Sequence, residues 1–77
     1  MFNVEVVLTA GQSVTVEEDF MSNSKQSQQL RAGLFGKVLQ IDKDGDAQID
    51  FGKKIRVEWV FKKNFGKLGL QGDEGAV

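Results

Sequence analysis

The segment from Asp42 to Phe51, DKDGDAQIDF, constrains the fold more than any other part of the chain. Its Asp44-Gly45 pair lies between an apolar stretch that ends at Ile41 and a second stretch in which apolar residues alternate with polar ones. Glycine adopts a positive φ without steric cost, and Asp-Gly between two apolar strands is among the strongest signals of a β-hairpin. The segment therefore predicts a hairpin turn followed by its return strand.

The same segment partly matches a calcium-binding loop of the EF-hand type. Asp42, Asp44 and Asp46 stand at the first, third and fifth positions of such a loop. However, Ala47 occupies the sixth position, where glycine makes the sharp turn, and Lys53 occupies the twelfth, where a glutamate supplies two ligand oxygens. We therefore expect a solvated hairpin tip and no bound metal. Weak incidental binding of a cation by the three aspartates is the alternative.

Alternation of apolar and polar residues with a period of two, typical of half-buried strands, recurs along the chain. It predicts strands at 2–8, 13–17, 37–42, 47–51, 55–61 and 68–70. In the strand at 55–61, the alternation places Ile55, Val57, Trp59 and Phe61 on one face, which we expect to be the buried one. A 3₁₀-like turn is predicted at 62–68.

The polar stretch 21–31, MSNSKQSQQLR, has neither a helical nor a strand period. It predicts a long loop, with a short helical turn at 25–30 as an option, and long ordered loops often carry binding function or mobility. Short strands, one polar loop and the absence of proline together predict an all-β domain over residues 1–70. We expect a small barrel of five to six strands with an additional N-terminal strand or hairpin, and a flexible Gly-rich tail at 71–77.

The 77-residue chain contains no cysteine and no histidine. Disulfides, thiolate metal sites and imidazole acid–base chemistry are therefore excluded, and no phosphate-binding glycine loop or nucleophile elbow occurs. We expect no enzyme activity and no cofactor. The N-terminus lacks a positively charged start and has Glu5 within its apolar run, so we expect no targeting signal, no membrane partner and, by default, the cytoplasm.

Charge is distributed unevenly along the chain. The net charge is −1, but residues 31–70 contain nine Lys or Arg against five Asp or Glu. This basic middle segment is a modest patch that can attract a polyanion, although the whole chain is far from the strongly basic balance of dedicated nucleic-acid binders.

The motifs between residues 11 and 70 occur in an order that resembles a known family. They are G-x-x-V-x-V at 11–16, R-x-G-x-x-G-x-V-x-x-I-D at 31–42, D-G-D-x-x-I-x-F at 44–51, W-V at 59–60 and N-F-x-x-L at 64–68. This order resembles the SH3-like β-barrel modules found as MIB/HERC2-type repeats. The resemblance implies a barrel that recognises protein segments, and it maps onto Gly33, Gly36, Val38, Asp44, Gly45, Phe51 and Trp59.

The stretch around Gly33, Gly36 and Val38 also resembles KOW and Tudor-like barrels, some of which bind RNA or methylated basic side chains. In that alternative, a nucleic acid would bind the basic segment 31–67, with Trp59 or Phe65 as a stacking platform. The apolar face shared with Val57 favours a core position for Trp59 instead.

Our sequence hypothesis is a non-catalytic interaction module that binds a peptide or a partner chain through the long loop 21–31, the turn at Phe35 and the strand that bears the aromatic residues. Phenylalanines next to turns are candidates for an exposed apolar patch, and the strand that bears the tryptophan, with its basic neighbours, extends it. The predicted partner-binding residues are Phe20, Phe35, Trp59, Phe65, Lys53 and Arg56. A homodimer, formed by pairing of the N-terminal strand across a two-fold axis, is a further expectation.

Overall fold

The computed structural model of the protein describes residues 7–70, most of which lie in antiparallel β-structure or its turns. The strands are β1 (Ser13–Val16), β2 (Phe20–Met21), β3 (Gln29–Leu30), β4 (Phe35–Ile41), β5 (Ala47–Asp50), β6 (Val57–Val60) and β7 (Leu68–Leu70). A 3₁₀ helix, Lys62–Lys67, connects β6 to β7. Within residues 7–70, no helix is long and apolar enough to cross a membrane.

Five of the strands form one antiparallel sheet in the order β6-β5-β4-β1-β7. The strands β4, β5 and β6 follow one another as neighbours, whereas β7 returns to pair with β1, with Leu68 opposite Val16. The strands β2 and β3 form a separate two-stranded sheet in which Phe20 lies opposite Leu30. This architecture confirms the fold class predicted from the sequence at the level of a small all-β domain.

The core lies on the inner face of the five-stranded sheet, where alternate residues of each strand are buried. The largest fully buried side chains are Leu30, Ile49, Val14, Val16, Val38 and Val60. Phe51 and Leu68 join the same cluster, as does Leu8, which precedes β1 and belongs to no strand. Each such side chain contributes about 1.5–3 kcal/mol of hydrophobic free energy, so this cluster is the main source of stability.

A β-bulge interrupts the pairing of β4 with β5. Val38 pairs with Ile49 and Gln40 with Gln48, which leaves Leu39 without a partner, and Leu39 and Gln40 are both exposed. A bulge increases local twist and bends its strand. It therefore lets β4, the longest strand described, pair with both β1 and β5 in a curved sheet.

The predicted strands at 13–17, 37–42, 47–51 and 68–70, the Asp44-Gly45 hairpin turn and the 3₁₀ turn are confirmed, with ends that differ by one or two residues. The N-terminal strand predicted at 2–8 lies outside the described residues except for Val7 and Leu8, which are not in a strand. The predicted tail, 71–77, also lies outside them.

Two predictions are wrong. The segment 21–31 contains no helical turn, because its ends pair with each other as β2 and β3. The face assignment of 55–61 is inverted: Glu58 and Val60 are buried, whereas Val57 and Phe61 are exposed and Trp59 is half-buried. The physical reason is the register of β6, because Glu58 pairs with Ile49, whose side chain points into the core.

Gly36 provides the closest approach between strands in the core. A Cβ atom at this position would lie 2.7 Å from Ile49 Cγ2 and 2.7 Å from the ring of Phe51, which is inside van der Waals contact. Both neighbours are buried, so neither can move without disturbing the core. Gly36 is therefore required by packing rather than by backbone conformation.

We predict that Gly36→Ala lowers the free energy of unfolding by about 1–3 kcal/mol, the usual effect of overpacking a core. Urea denaturation followed by the fluorescence of Trp59 measures it. Gly66→Ala is the matched control, since a Cβ at Gly66 meets nothing within 4 Å. An unfolding midpoint for Gly36→Ala equal to that of the control would contradict this account of the core.

Candidate functional site

The long polar loop lies along the outer edge of β6, the last strand on one side of the sheet. The backbone N–H of Asn23 donates to the carbonyl oxygen of Trp59 at 2.8 Å, and the N–H of Trp59 donates to Ser24 Oγ at 2.8 Å. One residue beyond the strand, the N–H of Phe61 donates to Asn23 Oδ1 at 2.8 Å. The loop thus satisfies backbone groups of an edge that would otherwise be open to pairing with another chain.

A buried hydrogen bond anchors this loop to the core. Ser22 Oγ donates to Glu58 Oε1 at 2.6 Å and accepts the backbone N–H of Gln28 at 2.9 Å. Ser22 is 4% exposed and Glu58 7% exposed. A buried carboxylate without a donor is costly, so the Ser22 hydroxyl is what allows a glutamate on the inner face of β6.

We predict that Ser22→Ala lowers the free energy of unfolding by about 1–3 kcal/mol, because it leaves the Glu58 carboxylate and the Gln28 N–H without their partner. Urea denaturation again provides the measurement. Ser27→Ala, at an exposed position of the same loop, is the control and should leave the midpoint unchanged. If both variants unfold at the wild-type midpoint, the buried pair does not anchor the loop.

A polar groove, which we call the Trp59 groove, lies between the tip of this loop and the beginning of β6. It is lined by Ser24, Lys25, Gln26, Gln28, Lys54, Ile55, Arg56, Val57, Glu58 and Trp59. The lining brings together three cations, two amide side chains and the only tryptophan of the chain. Its chemistry suits a ligand that is anionic and has a flat or apolar part.

A second, apolar depression, the Phe35 depression, lies at the junction of β1, β4 and β5. Its lining residues are Ser13, Leu34, Phe35, Gly36, Lys37, Asp50, Phe51 and Gly52. Phe35 is 64% exposed, the most exposed aromatic residue among those described. The depression therefore offers an aromatic side chain with glycine and serine around it, where a partner's apolar side chain can approach closely.

The turn 52–56, which we call the basic turn, contributes residues to both concave surfaces. Its ends are held by the Phe51 N–H, which donates to the Arg56 carbonyl at 2.9 Å, and by the Arg56 N–H, which donates to the Gly52 carbonyl at 2.6 Å. Lys53, Lys54 and Arg56 are exposed on it. The turn thus places cationic side chains between the Trp59 groove and the Phe35 depression.

The backbone of the basic turn passes twice through the left-handed region. Gly52 has φ +93°, which glycine adopts freely, but Arg56 has φ +70°. Arg56 is the only residue other than glycine with a positive φ in the stretch 7–70. Such a backbone costs roughly 1–2 kcal/mol for a residue with a Cβ atom.

Of the six predicted partner-binding residues, Phe35 lines the Phe35 depression and Trp59 and Arg56 line the Trp59 groove, while Lys53 lies in the basic turn that contributes to both. The expectation that Phe20 and Phe65 are exposed is wrong: they are 8% and 5% exposed. Phe20 lies opposite Leu30 and belongs to the core cluster, where Lys67 Nζ lies 5.4 Å from its ring centroid. Phe65 is the buried residue of the 3₁₀ helix.

Lys25, Leu34 and Lys54 belong to this region but were not among the predicted partner-binding residues. Lys54 has a local signal, since it follows Lys53 in the same turn. Lys25 lies in the loop 21–31 that the sequence hypothesis includes, but only the docking of the loop on β6 brings this residue to the Trp59 groove.

The three aspartates of the hairpin tip have carboxylate oxygens within 4.8 Å of one another. Two of these carboxylates accept backbone hydrogen bonds. Asp42 Oδ1 accepts the N–H groups of Asp44 and Asp46 at 2.9 Å each, and Asp46 Oδ1 accepts the N–H of Lys62 at 2.8 Å. The aspartates therefore shape the turn and connect it to the start of the 3₁₀ helix.

No protein-family model, no curated protein and no solved structure matches the chain. The functional argument consequently depends on the surface formed by the Trp59 groove, the basic turn and the Phe35 depression.

Proposed function

We propose that the protein is a non-catalytic interaction module that binds a segment of a partner protein across the basic turn. The observation that carries this proposal is the 64% exposure of Phe35 at an apolar depression, next to a turn with three exposed cations. Aromatic side chains and arginine are enriched in protein interfaces and often dominate their energetics. A single exposed apolar residue needs no explanation, but one that lines a concave surface beside a charged turn fits a binding site.

Two further features support binding rather than catalysis. The chain has no histidine or cysteine, and the acidic residue that lines the Trp59 groove, Glu58, accepts a hydrogen bond from Ser22 in the core. The resemblance to MIB/HERC2-type barrel modules, which stays a hypothesis, implies the same kind of function. In such a module the sheet supports loops and turns that contact the partner.

We expect peptides selected by this protein from a random phage-displayed library to lose binding to the variant Phe35→Ser. Truncating an interface anchor typically weakens binding by tenfold or more, corresponding to about 1.4 kcal/mol or more. Fluorescence anisotropy of labelled peptides measures the affinity. Leu39→Ser is the matched control, since Leu39 is 44% exposed on the same strand but does not line the depression.

The control selection passes the same library over the double variant Phe35→Ser, Arg56→Gly. If the wild-type protein enriches no peptide beyond this control, the proposed function is contradicted. Peptides that bind wild type and Phe35→Ser equally would also contradict it, because the depression would then contribute nothing. Sedimentation equilibrium over a range of concentrations separately tests the predicted homodimer.

A second candidate function is the binding of single-stranded nucleic acid. The observation that favours it is the outward position of Trp59, which lines a groove together with Lys25, Lys54 and Arg56. Stacking of a base on an aromatic ring contributes about 1–3 kcal/mol, and neighbouring cations contact phosphates. The sequence offered Trp59 as a stacking platform in this alternative, although its apolar pattern favoured a core position for that residue.

If this second function is correct, single-stranded homopolymers of RNA or DNA should quench the fluorescence of Trp59 at low salt. Affinity should fall steeply between about 50 and 200 mM salt, because each phosphate contact releases counterions. Lys54→Gln should weaken binding, whereas Lys43→Gln, at the hairpin tip, should not. An unchanged emission spectrum at saturating oligonucleotide would exclude base stacking on Trp59.

A further inference from the structure

We propose that the partner segment is acidic and amphipathic: it places aspartate or glutamate side chains at the mouth of the Trp59 groove and an apolar side chain in the Phe35 depression. This inference rests on the proposed function and names its partner class. It follows from the charges around the two concave surfaces, from the lack of ion pairs there and from the backbone of Arg56.

Charge is concentrated on this surface. The residues that line it or form the basic turn include five exposed cations, Lys25, Lys37, Lys53, Lys54 and Arg56. Asp50 is the only exposed acid among them, since the Glu58 carboxylate is buried and accepts the Ser22 hydroxyl. The whole chain, in contrast, has a net charge of −1. A ligand with negative side chains therefore complements this surface and not the average surface of the protein.

The cations of the basic turn are not used by the fold. None of Lys53, Lys54 and Arg56 forms an ion pair with another residue of 7–70. The acidic turn at the other end of β5 differs, because its carboxylates accept backbone hydrogen bonds that hold it together. The side chains of the basic turn are thus available to an external carboxylate.

Arg56 provides an independent argument for the importance of its side chain. At φ +70° glycine would be the least strained residue, and the same turn uses glycine at Gly52. The sequence thus has an arginine at a position where any residue with a Cβ atom strains the backbone. A planar guanidinium can form two parallel hydrogen bonds to one carboxylate, which a lysine cannot do.

The apolar depression favours a peptide over a continuous polyanion. A phosphate backbone that follows the basic turn from the Trp59 groove would next meet Phe35, Leu34 and the carboxylate of Asp50. A peptide can change chemistry along its length and present an apolar side chain there. We therefore infer an acidic protein segment, and binding of a nucleic acid is the competing outcome of the test.

The experiment uses capped peptides and the full chain. The probes are Ac-FGEEE-NH₂, Ac-FGQQQ-NH₂ and Ac-SGEEE-NH₂, with oligo-dT as the nucleic-acid probe. The fluorescence of the single tryptophan, Trp59, and amide chemical shifts of the basic turn report binding. We expect Ac-FGEEE-NH₂ to bind at least threefold more tightly than either other peptide and more tightly than oligo-dT, and its affinity to fall as salt is raised.

The decisive variant is Arg56→Gly, which removes the guanidinium and relieves the backbone strain. We expect the affinity for Ac-FGEEE-NH₂ to fall about three- to tenfold while the thermal midpoint stays the same or rises, so the loss cannot be attributed to unfolding. Lys63→Gln, on the 3₁₀ helix, is the charge-matched control and should leave the affinity unchanged.

Suppose that Ac-FGEEE-NH₂ and Ac-FGQQQ-NH₂ bind with equal affinity and that Phe35→Ser loses binding to both peptides. That result would overturn the inference that the partner segment is acidic, while the proposed interaction function stands. Absence of binding by all three peptides, or tighter binding of oligo-dT, would also overturn it. If Phe35→Ser leaves peptide binding unchanged, the proposed function fails as well. The response of Phe35→Ser therefore distinguishes failure of the acidic-partner inference from failure of the proposed function.

Discussion

The hydrogen bond from Ser22 to Glu58 is the interaction on which the placement of the long polar loop, and with it the candidate site, depends. It joins residues 36 positions apart in the chain and lies inside the protein, with both partners more than nine-tenths buried. Through it, the segment 22–24 is held against β6 and satisfies backbone groups of Trp59 and Phe61. The loop therefore hinders addition of a partner strand to this edge of the sheet, whereas β7 forms the opposite edge.

The buried position of Glu58, which follows from its pairing with Ile49 and is satisfied by this hydrogen bond, also determines the outer face of β6. Successive side chains of a strand point to opposite faces, so placing Glu58 inside places Val57 and Trp59 outside. An apolar residue at position 58 would fit the core with less desolvation cost, but it would lack the carboxylate that holds Ser22. The anchoring of the loop and the outward position of the half-buried Trp59 are thus two consequences of the Glu58 side chain. The loop forms one wall of the Trp59 groove and β6 forms the other, so the groove depends on the anchoring of the loop to the strand.

Much of the fold could be predicted because its signals are local. The hairpin at Asp44-Gly45, the core strand through Val38 and the 3₁₀ turn each depend on residues within a few positions of one another. The face of β6 could not be predicted in this way, since it depends on the pairing of Glu58 with Ile49 in β5 and on the buried hydroxyl of Ser22, 36 residues earlier. Proximity of Phe20 and Phe65 to turns suggested exposure, but long-range packing buries both.

The candidate site was predictable to the same extent. Phe35, Lys53 and Arg56 were found from the sequence because exposed turns and charges are local features. Trp59 was also among the predicted residues, but the position of Lys25 beside it depends on the docking of the loop and could not be predicted from local sequence.

The two turns that flank β5 differ in whether their charged side chains take part in holding the fold together. At the acidic turn, Asp42 and Asp46 accept backbone hydrogen bonds, so these carboxylates stabilise the hairpin and its connection to the 3₁₀ helix. At the basic turn, backbone hydrogen bonds and the Gly52 N–H, which donates to Asp50 Oδ1, close the loop, and the cations form no ion pair with another residue of 7–70. Residues that stabilise a fold are paired within it, as the aspartates are. The arginine and the two lysines of the basic turn have no such role, and the positive φ of Arg56, rather than the lack of ion pairs or the amount of charge, distinguishes this turn from an ordinary solvated surface.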